Sequence, residues 1–198
     1  MSLTPKNNCR LTPNGEIFVT DPILDAVVRI DPVTFVPTIF SGPGVGTGVG
    51  VNLDDVNGIA FLPNGDLIVA EASLNSVPGG SNAPEDDVIV RIDRATGNRS
   101  ILVSFDAVFG SGSPDDIAIA PNGDIFVSDP ILDAVVRIDP VTFVPTIFSG
   151  FGVGTGPGVN IDDVNGIAIY VPEPATMTLL GFIAVGALSR RRRRRALA

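Results

Sequence analysis

The segment DPILDAVVRIDPVTFVPTIFSG occupies residues 21–42 and returns without a single change at residues 129–150. The tripeptide Pro-Asn-Gly marks the repeat more widely, because it begins at Pro13, Pro63 and Pro121. These anchors place a diverged middle copy between two nearly identical ones. A fixed period of about 40 to 50 residues indicates stacked supersecondary units.

Each unit contains four short strand candidates that are separated by turn signals. In the middle copy they are residues 58–62, 67–71, 87–93 and 99–104. Asn-Gly between the first two strands supplies the positive φ angles of a tight hairpin, and Asp-Pro pairs end the second and third strands. The apolar runs are continuous rather than alternating, which indicates strands that are covered on both faces. Four such antiparallel strands, repeated at this period, predict the blade of a β-propeller.

The number of blades predicts an incomplete ring. Residues 7–42, 54–104 and 115–150 make three blades, and residues 165–170 repeat only the first strand of a fourth. Propellers usually have four to eight blades. We therefore expect an all-β fold over residues 1–170, a partial β-propeller of about three four-stranded blades in an open arc. Exposed sheet edges favour pairing with another chain, so self-association through the open propeller edges is expected.

The composition excludes several classes of function. The formal net charge is −9, and removing the six arginines at 190–195 leaves 22 acids against seven bases, a charge of −15 that would repel nucleic acid. Histidine is absent, which excludes His-based nucleophile triads, His general bases and His metal ligands. Cys9 is the single cysteine, so no internal disulfide can form. Residues 1–16 are polar, so no signal peptide is predicted in them.

Charged residues recur at equivalent places in the blades. Arg29, Arg91 and Arg137 each precede Ile-Asp, and we expect them to pair with neighbouring acids at a strand end. Paired aspartates recur near blade starts, at residues 54–55, 86–87, 115–116 and 162–163. These carboxylates either cap turns and line a solvated rim or hold a divalent cation on oxygen ligands.

The phrases DDVNGIAFLPNGDLIVAE and VVRIDPVT resemble the blade motif of NHL-type and gluconolactonase or strictosidine synthase-like six-bladed propellers. The resemblance covers about residues 7–170. In gluconolactonase-like proteins, an asparagine of a similar Asn-Gly motif and nearby acids coordinate metal around the central channel. The resemblance therefore implies Asn57 and Asn165 as candidate metal ligands, with Glu71 and Asp129 as acidic partners. Related propellers include lactonases, binding scaffolds and surface proteins, so the fold alone does not decide the activity.

The blade pattern stops after Tyr170, where VPEPATMTLLGFIAVGALSRRRRRRALA begins. Pro174 suits the first turn of a helix, and Glu173 suits its positive end. The uncharged stretch at residues 175–188 would rise only about 21 Å as a helix, against a hydrocarbon core of about 30 Å. By length alone it could be a buried helix. Because terminal arginines snorkel and bilayers thin, we expect one C-terminal transmembrane helix.

The membrane prediction involves two sets of residues. The apolar side chains that we expect to contact lipid are Ala175, Leu179, Leu180, Phe182, Ile183, Val185 and Leu188. The cluster that we expect to remain cytoplasmic is Arg190, Arg191, Arg192, Arg193, Arg194 and Arg195. Because positive charge stays on the cytoplasmic side, the body is expected on the outer side of the membrane.

The order of Pro172, Glu173 and Pro174, an apolar span and an arginine cluster closely resembles the PEP-CTERM sorting signal of Gram-negative bacteria that make exopolysaccharide. The resemblance implies recognition by a membrane-embedded exosortase, a thiol transpeptidase-like enzyme, with cleavage near the motif and release or transfer to the cell surface. We therefore expect a sorting tail at residues 171–198. The body would be a non-enzymatic, cofactor-free binding or matrix module, associated with exopolysaccharide. The alternative is a lactonase-like metal-dependent hydrolase.

Overall fold

The structure, a computed structural model, describes residues 9–12, 15–47, 53–72, 87–150, 153 and 161–170. Within these residues, three four-stranded antiparallel sheets follow the chain order, and each sheet is one blade. Blade 1 consists of β1 (Cys9–Leu11), β2 (Ile17–Asp21), β3 (Ala26–Ile30) and β4 (Pro37–Ser41). Blade 2 consists of β5 (Val56–Phe61), β6 (Leu67–Glu71), β7 (Val88–Ile92) and β8 (Arg99–Ser104). Blade 3 consists of β9 (Ile117–Ile119), β10 (Ile125–Asp129), β11 (Ala134–Ile138) and β12 (Pro145–Gly150).

The repeat therefore gives the predicted four-stranded blades, and the strand bounds differ by at most two residues in blade 2. The largest difference is at β5, which begins at Val56 instead of residue 58. Asn57 and Gly58 form a bulge there, because the pairing with β6 jumps from Val56 opposite Glu71 to Ile59 opposite Val69. A bulge accommodates extra residues in one strand without breaking the sheet.

In the hairpin between the first two strands of each blade, the positive φ angle belongs to the glycine. Gly15, Gly65 and Gly123 have φ angles of 87°, 91° and 92°, whereas Asn64 and Asn122 are not in the left-handed region. The prediction that both residues of Asn-Gly adopt positive φ was therefore wrong. The asparagine side chain supports the turn in another way, since Asn64 Nδ2 donates to Asp66 Oδ2 at 2.8 Å.

A short helix, α1 (Phe105–Phe109), follows β8 and was not predicted. Ser104 caps its N-terminus by accepting a hydrogen bond from Ala107 N, and Gly110 ends it with a φ of 81°. Five residues are too few to show a helical period in the sequence. The helix places Phe105, which is fully buried, in the apolar cluster between blades 2 and 3.

Two apolar clusters hold the blades together, one on each face of blade 2. The first joins Phe18 and Val27 of blade 1 to buried residues of blade 2, namely Leu67, Val69, Val90 and Ile92. The second joins Ile68 and Ile89 of blade 2 to buried residues of blade 3, namely Ile117, Ile125, Val127, Val136 and Ile138. Burial of a side chain of this size contributes about 1.5–3 kcal/mol, so these clusters dominate the stability of the body.

The inner strands of neighbouring blades also approach through their backbones. Gly58 N donates to Asp115 O at 2.6 Å, which joins blade 2 to the start of blade 3. Thr20 Oγ1 of blade 1 donates to Asn57 O at 2.7 Å. Towards the outer strands, Ser41 Oγ donates to Gly97 O at 2.8 Å. Each blade junction thus combines an apolar cluster with a few directed hydrogen bonds.

Apolar side chains are exposed on both blade 1 and blade 3, among them Leu11 and Phe148. On blade 3, Phe148 is 56% exposed, although the identical Phe40 of blade 1 packs against the first apolar cluster. No helix of the described residues could span a bilayer. The predicted transmembrane helix at residues 175–188 lies outside the described residues, as do the sorting motif and the arginine cluster.

Candidate functional site

Carboxylates from all three blades influence one Asp side chain: Asp25 lies in the turn between β2 and β3, and Asp55 and Asp115 precede the first strands of blades 2 and 3. Asp115, which precedes β9, is 6% exposed, and Asp55, which precedes β5, is half-buried. Burial raises the pKa of Asp55, and the nearby charges of Asp115 and Asp25 raise it further. The three carboxylates come from three different blades. We call Asp25, Asp55 and Asp115 the inner acidic rim.

Asp129, a candidate metal ligand, lies at the end of β10 and is fully buried. Burial raises its pKa, while hydrogen bonds from backbone N–H groups favour the ionised form, and Asp115 disfavours it. The donors are Ser113 N at 2.9 Å, Ile131 N at 3.0 Å and Leu132 N at 2.9 Å. The bonds from Ile131 and Leu132 tie Oδ1 to the turn before β11, and the bond from Ser113 ties Oδ2 to the segment between α1 and β9.

The equivalent residue of blade 1 makes the same turn. Asp21 Oδ1 accepts from Ile23 N at 3.0 Å and from Leu24 N at 3.1 Å. Because Asp21 and Asp129 end equivalent strands and accept from equivalent N–H groups, turn capping accounts for the Oδ1 bonds of both, and Asp129 differs in its burial and in the bond from Ser113 N to Oδ2.

The two candidate asparagines have the same local geometry. Asn57 Nδ2 donates to Asp55 O at 3.3 Å, and Asn165 Nδ2 donates to Asp163 O at 2.7 Å. Each amide therefore bonds to the carbonyl two residues earlier. Asn57 is half-buried in the bulge of β5, whereas Asn165 is exposed.

Glu71, the fourth candidate, ends β6 and is 2% exposed. It pairs with Val56 on one side and Val88 on the other, so it lies next to the Asn57 bulge. Glu71 takes the position that Asp21 and Asp129 hold in the other blades. The structure thus brings Glu71 and Asn57 onto adjacent strands, while Asp129 belongs to blade 3.

In the part of the chain that the structure describes, no group of three or more His, Cys, Asp or Glu side chains is arranged to hold a metal ion. Oxygen ligands from Asn57 and the inner acidic rim would suit a hard cation such as Ca²⁺. The metal assignment of Asn57, Glu71, Asp129 and Asn165 stays a prediction.

The predicted arginine pairs are confirmed in all three blades. Arg137 makes a two-pronged contact with Asp124, with Nε to Oδ2 and Nη2 to Oδ1 both at 2.8 Å. This contact lowers the pKa of the Asp124 carboxyl. Arg91 also bonds to Asp66, but its Nε and Nη2 both donate to Oδ2. Arg29 Nη1 lies 3.4 Å from Glu16 Oε1. The pair joins the second and third strands of each blade.

Two further arginines connect different blades, and the sequence analysis did not identify either. Arg10 of β1 donates from Nη2 to Ile117 O of blade 3 at 2.9 Å. Arg94 of blade 2 donates to Glu16 of blade 1 at 2.8 Å, and its guanidinium lies 5.8 Å from the ring centroid of Phe61. Arg94 stands where the other two copies have a proline, and this difference is the sequence signal that could have indicated its contact with another blade.

Comparisons with known proteins give a family for the tail and a fold for the body. Residues 171–195 match the PEP-CTERM protein-sorting motif. No curated protein sequence matches the chain. Among solved structures, a protein assigned as a gluconolactonase has 19% identity and a TM-score of 0.51 over 66% of this chain and 43% of its own.

Two other neighbours have named sources. An auxiliary nutrient-binding protein from Bacteroides ovatus has 18% identity and a TM-score of 0.50, over 71% of this chain and 29% of its own. Virginiamycin B lyase from Staphylococcus aureus has 19% identity and a TM-score of 0.49, over 71% of this chain and 39% of its own. The chain therefore spans less than half the length of each of these three neighbours.

Identities of this size show the fold alone, and the activities of the neighbours differ. The comparisons thus identify a sorting motif in the tail but only a fold in the body. Residues 171–195 are a PEP-CTERM protein-sorting motif, and the residues before it form an all-β body of three four-stranded sheets with a propeller-like fold.

Proposed function

We propose that this chain is an exported, surface-destined protein that an exosortase recognises and cuts at its C-terminal tail. The observation that carries the proposal is the match of residues 171–195 to a PEP-CTERM protein-sorting motif. In the sequence, Pro172, Glu173 and Pro174 precede an apolar stretch and then six arginines. The body becomes the product of this processing, so the protein is a substrate rather than the catalyst.

The physical properties of the tail support a membrane intermediate. Six adjacent arginines are costly to move across a bilayer and stay on the cytoplasmic side. The apolar residues 175–188 then lie in the bilayer, and the Pro-Glu-Pro motif emerges at the outer surface. Cleavage there separates the body from the tail and delivers it to the cell surface.

The body is proposed to act as a binding or matrix module that associates with exopolysaccharide. A neighbour from Bacteroides ovatus is a nutrient-binding protein, which supports a binding role for this fold. The 22 acids and seven bases outside the arginine cluster give the body a strongly negative charge, which favours solubility at the cell surface.

The test is production of the full chain in bacteria with and without a functional exosortase. The C-terminus of the mature protein is read by mass spectrometry, and cells are fractionated to locate it. We expect loss of the arginine cluster only when the exosortase is present. The variant Glu173→Ala should keep its arginines, whereas the control Asp162→Ala, outside the motif, should be processed normally. An intact arginine cluster on a purely cytosolic product would contradict the proposal.

A lactonase-like metal-dependent hydrolase is the second candidate, because carboxylates of three blades meet in the inner acidic rim and one neighbour is assigned as a gluconolactonase. Asn57, Glu71, Asp129 and Asn165 would be its metal ligands. Calorimetric titration with Ca²⁺, Zn²⁺ or Mn²⁺ tests this candidate. Absence of binding by the purified protein excludes it. Binding that Asn57→Ala abolishes, and that Asn122→Ala in a hairpin turn retains, would favour it over a non-enzymatic module.

A further inference from the structure

The chain contains five Asn-Gly pairs, a sequence that can modify itself covalently. Asparagine is among the thermolabile residues, because the backbone nitrogen of the next residue can attack its side-chain carbonyl carbon. Glycine in that next position favours the attack, since it has no side chain to obstruct it and its backbone is conformationally permissive. Whether a pair reacts then depends on how the fold holds its two residues. The pairs begin at Asn14, Asn57, Asn64, Asn122 and Asn165.

The reaction consumes only water. The glycine nitrogen loses its proton and forms a bond to Cγ of the asparagine, while the bond from Cγ to Nδ2 breaks and ammonia leaves with that proton. Water then opens the resulting imide ring. Opening at Cγ gives aspartate, and opening at the main-chain carbonyl carbon gives isoaspartate, whose main chain runs through Cγ. A pair can react only where the glycine nitrogen can reach Cγ and give up its proton.

The pairs in the hairpin turns are held by hydrogen bonds. Asn64 Nδ2 donates to Asp66 Oδ2 at 2.8 Å, and Asn64 Oδ1 accepts from Asp66 N at 3.2 Å. Asn122 makes the same two bonds with Asp124, at 3.0 Å and 3.2 Å. The glycine N–H of each turn is engaged as well, because it donates to a backbone carbonyl. These bonds run from Gly15 to Thr12 at 2.9 Å, from Gly65 to Leu62 at 2.9 Å and from Gly123 to Ala120 at 2.8 Å.

The pair at Asn57 is protected by the junction of blades 2 and 3. Gly58 N donates to Asp115 O at 2.6 Å, so its proton is held in a short hydrogen bond. A Cβ atom at Gly58 would lie 2.7 Å from Asp115 O and 2.7 Å from Asp116 Cα, so the backbone of blade 3 leaves little room there. The imide ring could form only after the two blades separate at this point.

The pair at Asn165 has the same sequence context as Asn57 but a different environment. Both occur in Val-Asn-Gly-Ile-Ala, and both amides donate to the carbonyl two residues earlier. Asn165 and Gly166, however, are exposed, and a Cβ atom at Gly166 would meet nothing within 4 Å. Among the residues that the structure describes, none accepts a hydrogen bond from the N–H of Gly166. The fold therefore leaves this nitrogen accessible for the reaction.

We propose that Asn165 is a self-modification site, at which the folded protein converts the asparagine to aspartate and isoaspartate while the other Asn-Gly pairs stay intact. The protected pairs react only from a locally opened state, so their rates fall with the population of that state. Asn165 needs only to rotate its side chain away from Asp163 O. The site lies between blade 3 and the Pro-Glu-Pro motif at residues 172–174, so the modification falls on the connection between the body and the tail.

Conversion changes the attachment of this connection to blade 3. Asp163 N donates to Asp133 Oδ1 at 3.1 Å, and Ile167 N donates to Asp116 Oδ2 at 3.2 Å. Residue 165 lies between these two contacts, and isoaspartate adds one carbon to the main chain there. Either product also adds a negative charge to a segment that two aspartates of blade 3 anchor, and like charges repel. We therefore expect the modified segment to detach from blade 3.

The experiment follows each pair in the full chain, kept folded in detergent at mildly alkaline pH. Samples are digested at intervals, and mass spectrometry measures the fraction of acid at each asparagine, with a parallel sample unfolded in urea. In the folded protein, we expect residue 165 to convert at least about tenfold faster than residue 57, whereas in urea the two should convert at similar rates. Equal rates in the folded protein, no conversion at residue 165, or a difference that persists in urea would each overturn the proposal.

Two variants test the chemistry. Asn165→Gln cannot form the same ring and should stay unmodified. Gly166→Ala obstructs the attacking nitrogen without a clash in the fold, so its Asn165 should convert at least about tenfold more slowly than in the parent protein. The matched control Ala168→Ser, at another exposed position of the segment, should convert at the rate of the parent protein. Equal rates for Gly166→Ala and Ala168→Ser would contradict attack by the Gly166 nitrogen.

Amide hydrogen exchange measures the consequence for the segment. After conversion, the amide of Ile167 should exchange faster than in the unconverted protein, because its bond to Asp116 is lost. The Asn165→Gln protein, incubated in the same way, should exchange at the same rate before and after incubation. Unchanged exchange at Ile167 in the converted protein would refute the detachment from blade 3.

Discussion

The junction between blades 2 and 3 makes a sharp prediction about two glycines with the same sequence context. Gly58 and Gly166 both occur in Val-Asn-Gly-Ile-Ala. A Cβ atom at Gly58 would lie 2.7 Å from Asp115 O, 2.7 Å from Asp116 Cα and 2.8 Å from Ile117 N. These neighbours are backbone atoms of blade 3 and cannot rotate away. A Cβ atom at Gly166 would meet nothing within 4 Å.

The expected cost of Gly58→Ala follows from these contacts. Overpacking of a closed interface costs about 1–3 kcal/mol, and loss of the 2.6 Å hydrogen bond from Gly58 N to Asp115 O adds about 1 kcal/mol. Alanine also restricts the backbone of the unfolded chain, which stabilises the folded state by about 0.4–1 kcal/mol. The net destabilisation is therefore about 1–3 kcal/mol, whereas Gly166→Ala should change the free energy of unfolding by no more than about 0.5 kcal/mol.

Urea unfolding followed by circular dichroism measures both variants. We expect the midpoint of Gly58→Ala to fall clearly below that of the parent protein, with a similar slope, because the buried surface is unchanged. Gly166→Ala should unfold with the parent protein. Equal midpoints for the two variants would refute the close approach of β5 to the start of blade 3.

Three further predictions concern local strain, burial and charge. Phe35 has a φ of 59° and is 75% exposed, so Phe35→Gly should raise the free energy of unfolding by about 1 kcal/mol. Phe143 occupies the same position in blade 3, but its ring packs against the second apolar cluster. Phe143→Gly removes that ring and should lower thermal stability. Burial, and then nearby acids, raise the pKa of Asp55, so ionisation of this carboxyl destabilises the folded state. Asp55→Asn should therefore be more stable than the parent protein in urea at neutral pH. The difference should vanish below about pH 4, where the carboxyl is protonated in both the folded and the unfolded state. Arg94→Ala should cost about 0.5–1 kcal/mol through its contacts with Glu16 and a ring, and less in concentrated salt.

The features that the sequence predicted are those set by neighbours along the chain. Gly15, Gly65 and Gly123 recur at the hairpins because a positive φ there is a local requirement. The arginine pairs were also predictable, since antiparallel pairing puts the third strand beside the second. Phe126 lies directly opposite Arg137 in that pairing, and the acid just before the strand is then within reach.

Features that depend on other blades were not predictable in the same way. The contact of Gly58 with Asp115 joins residues of different repeats, and nothing in either sequence neighbourhood indicates it. Helix α1 has a cap at Ser104 and an end at Gly110, but only five residues between them. The structural role of the candidate metal ligands was not predictable from the sequence either. Asp129 was selected from a family resemblance, and only the backbone donors around it indicate a turn-capping role.

The sequence of the repeat also does not determine which face of a blade is buried. Strands β2, Ile-Phe-Val-Thr-Asp, and β10, Ile-Phe-Val-Ser-Asp, differ by one residue, yet Phe18 is buried in the first while Ile125 and Val127 are buried in the second. The burial of β2 alternates with the two-residue period of a strand, and β10 follows the opposite alternation from Ile125 to Val127, after which Ser128 and Asp129 are also buried. The position of the blade relative to blade 2 decides which face is buried. The sequence of the repeat does not specify this position. Nearly identical strands therefore bury opposite faces, because blade 2 packs on a different face of each.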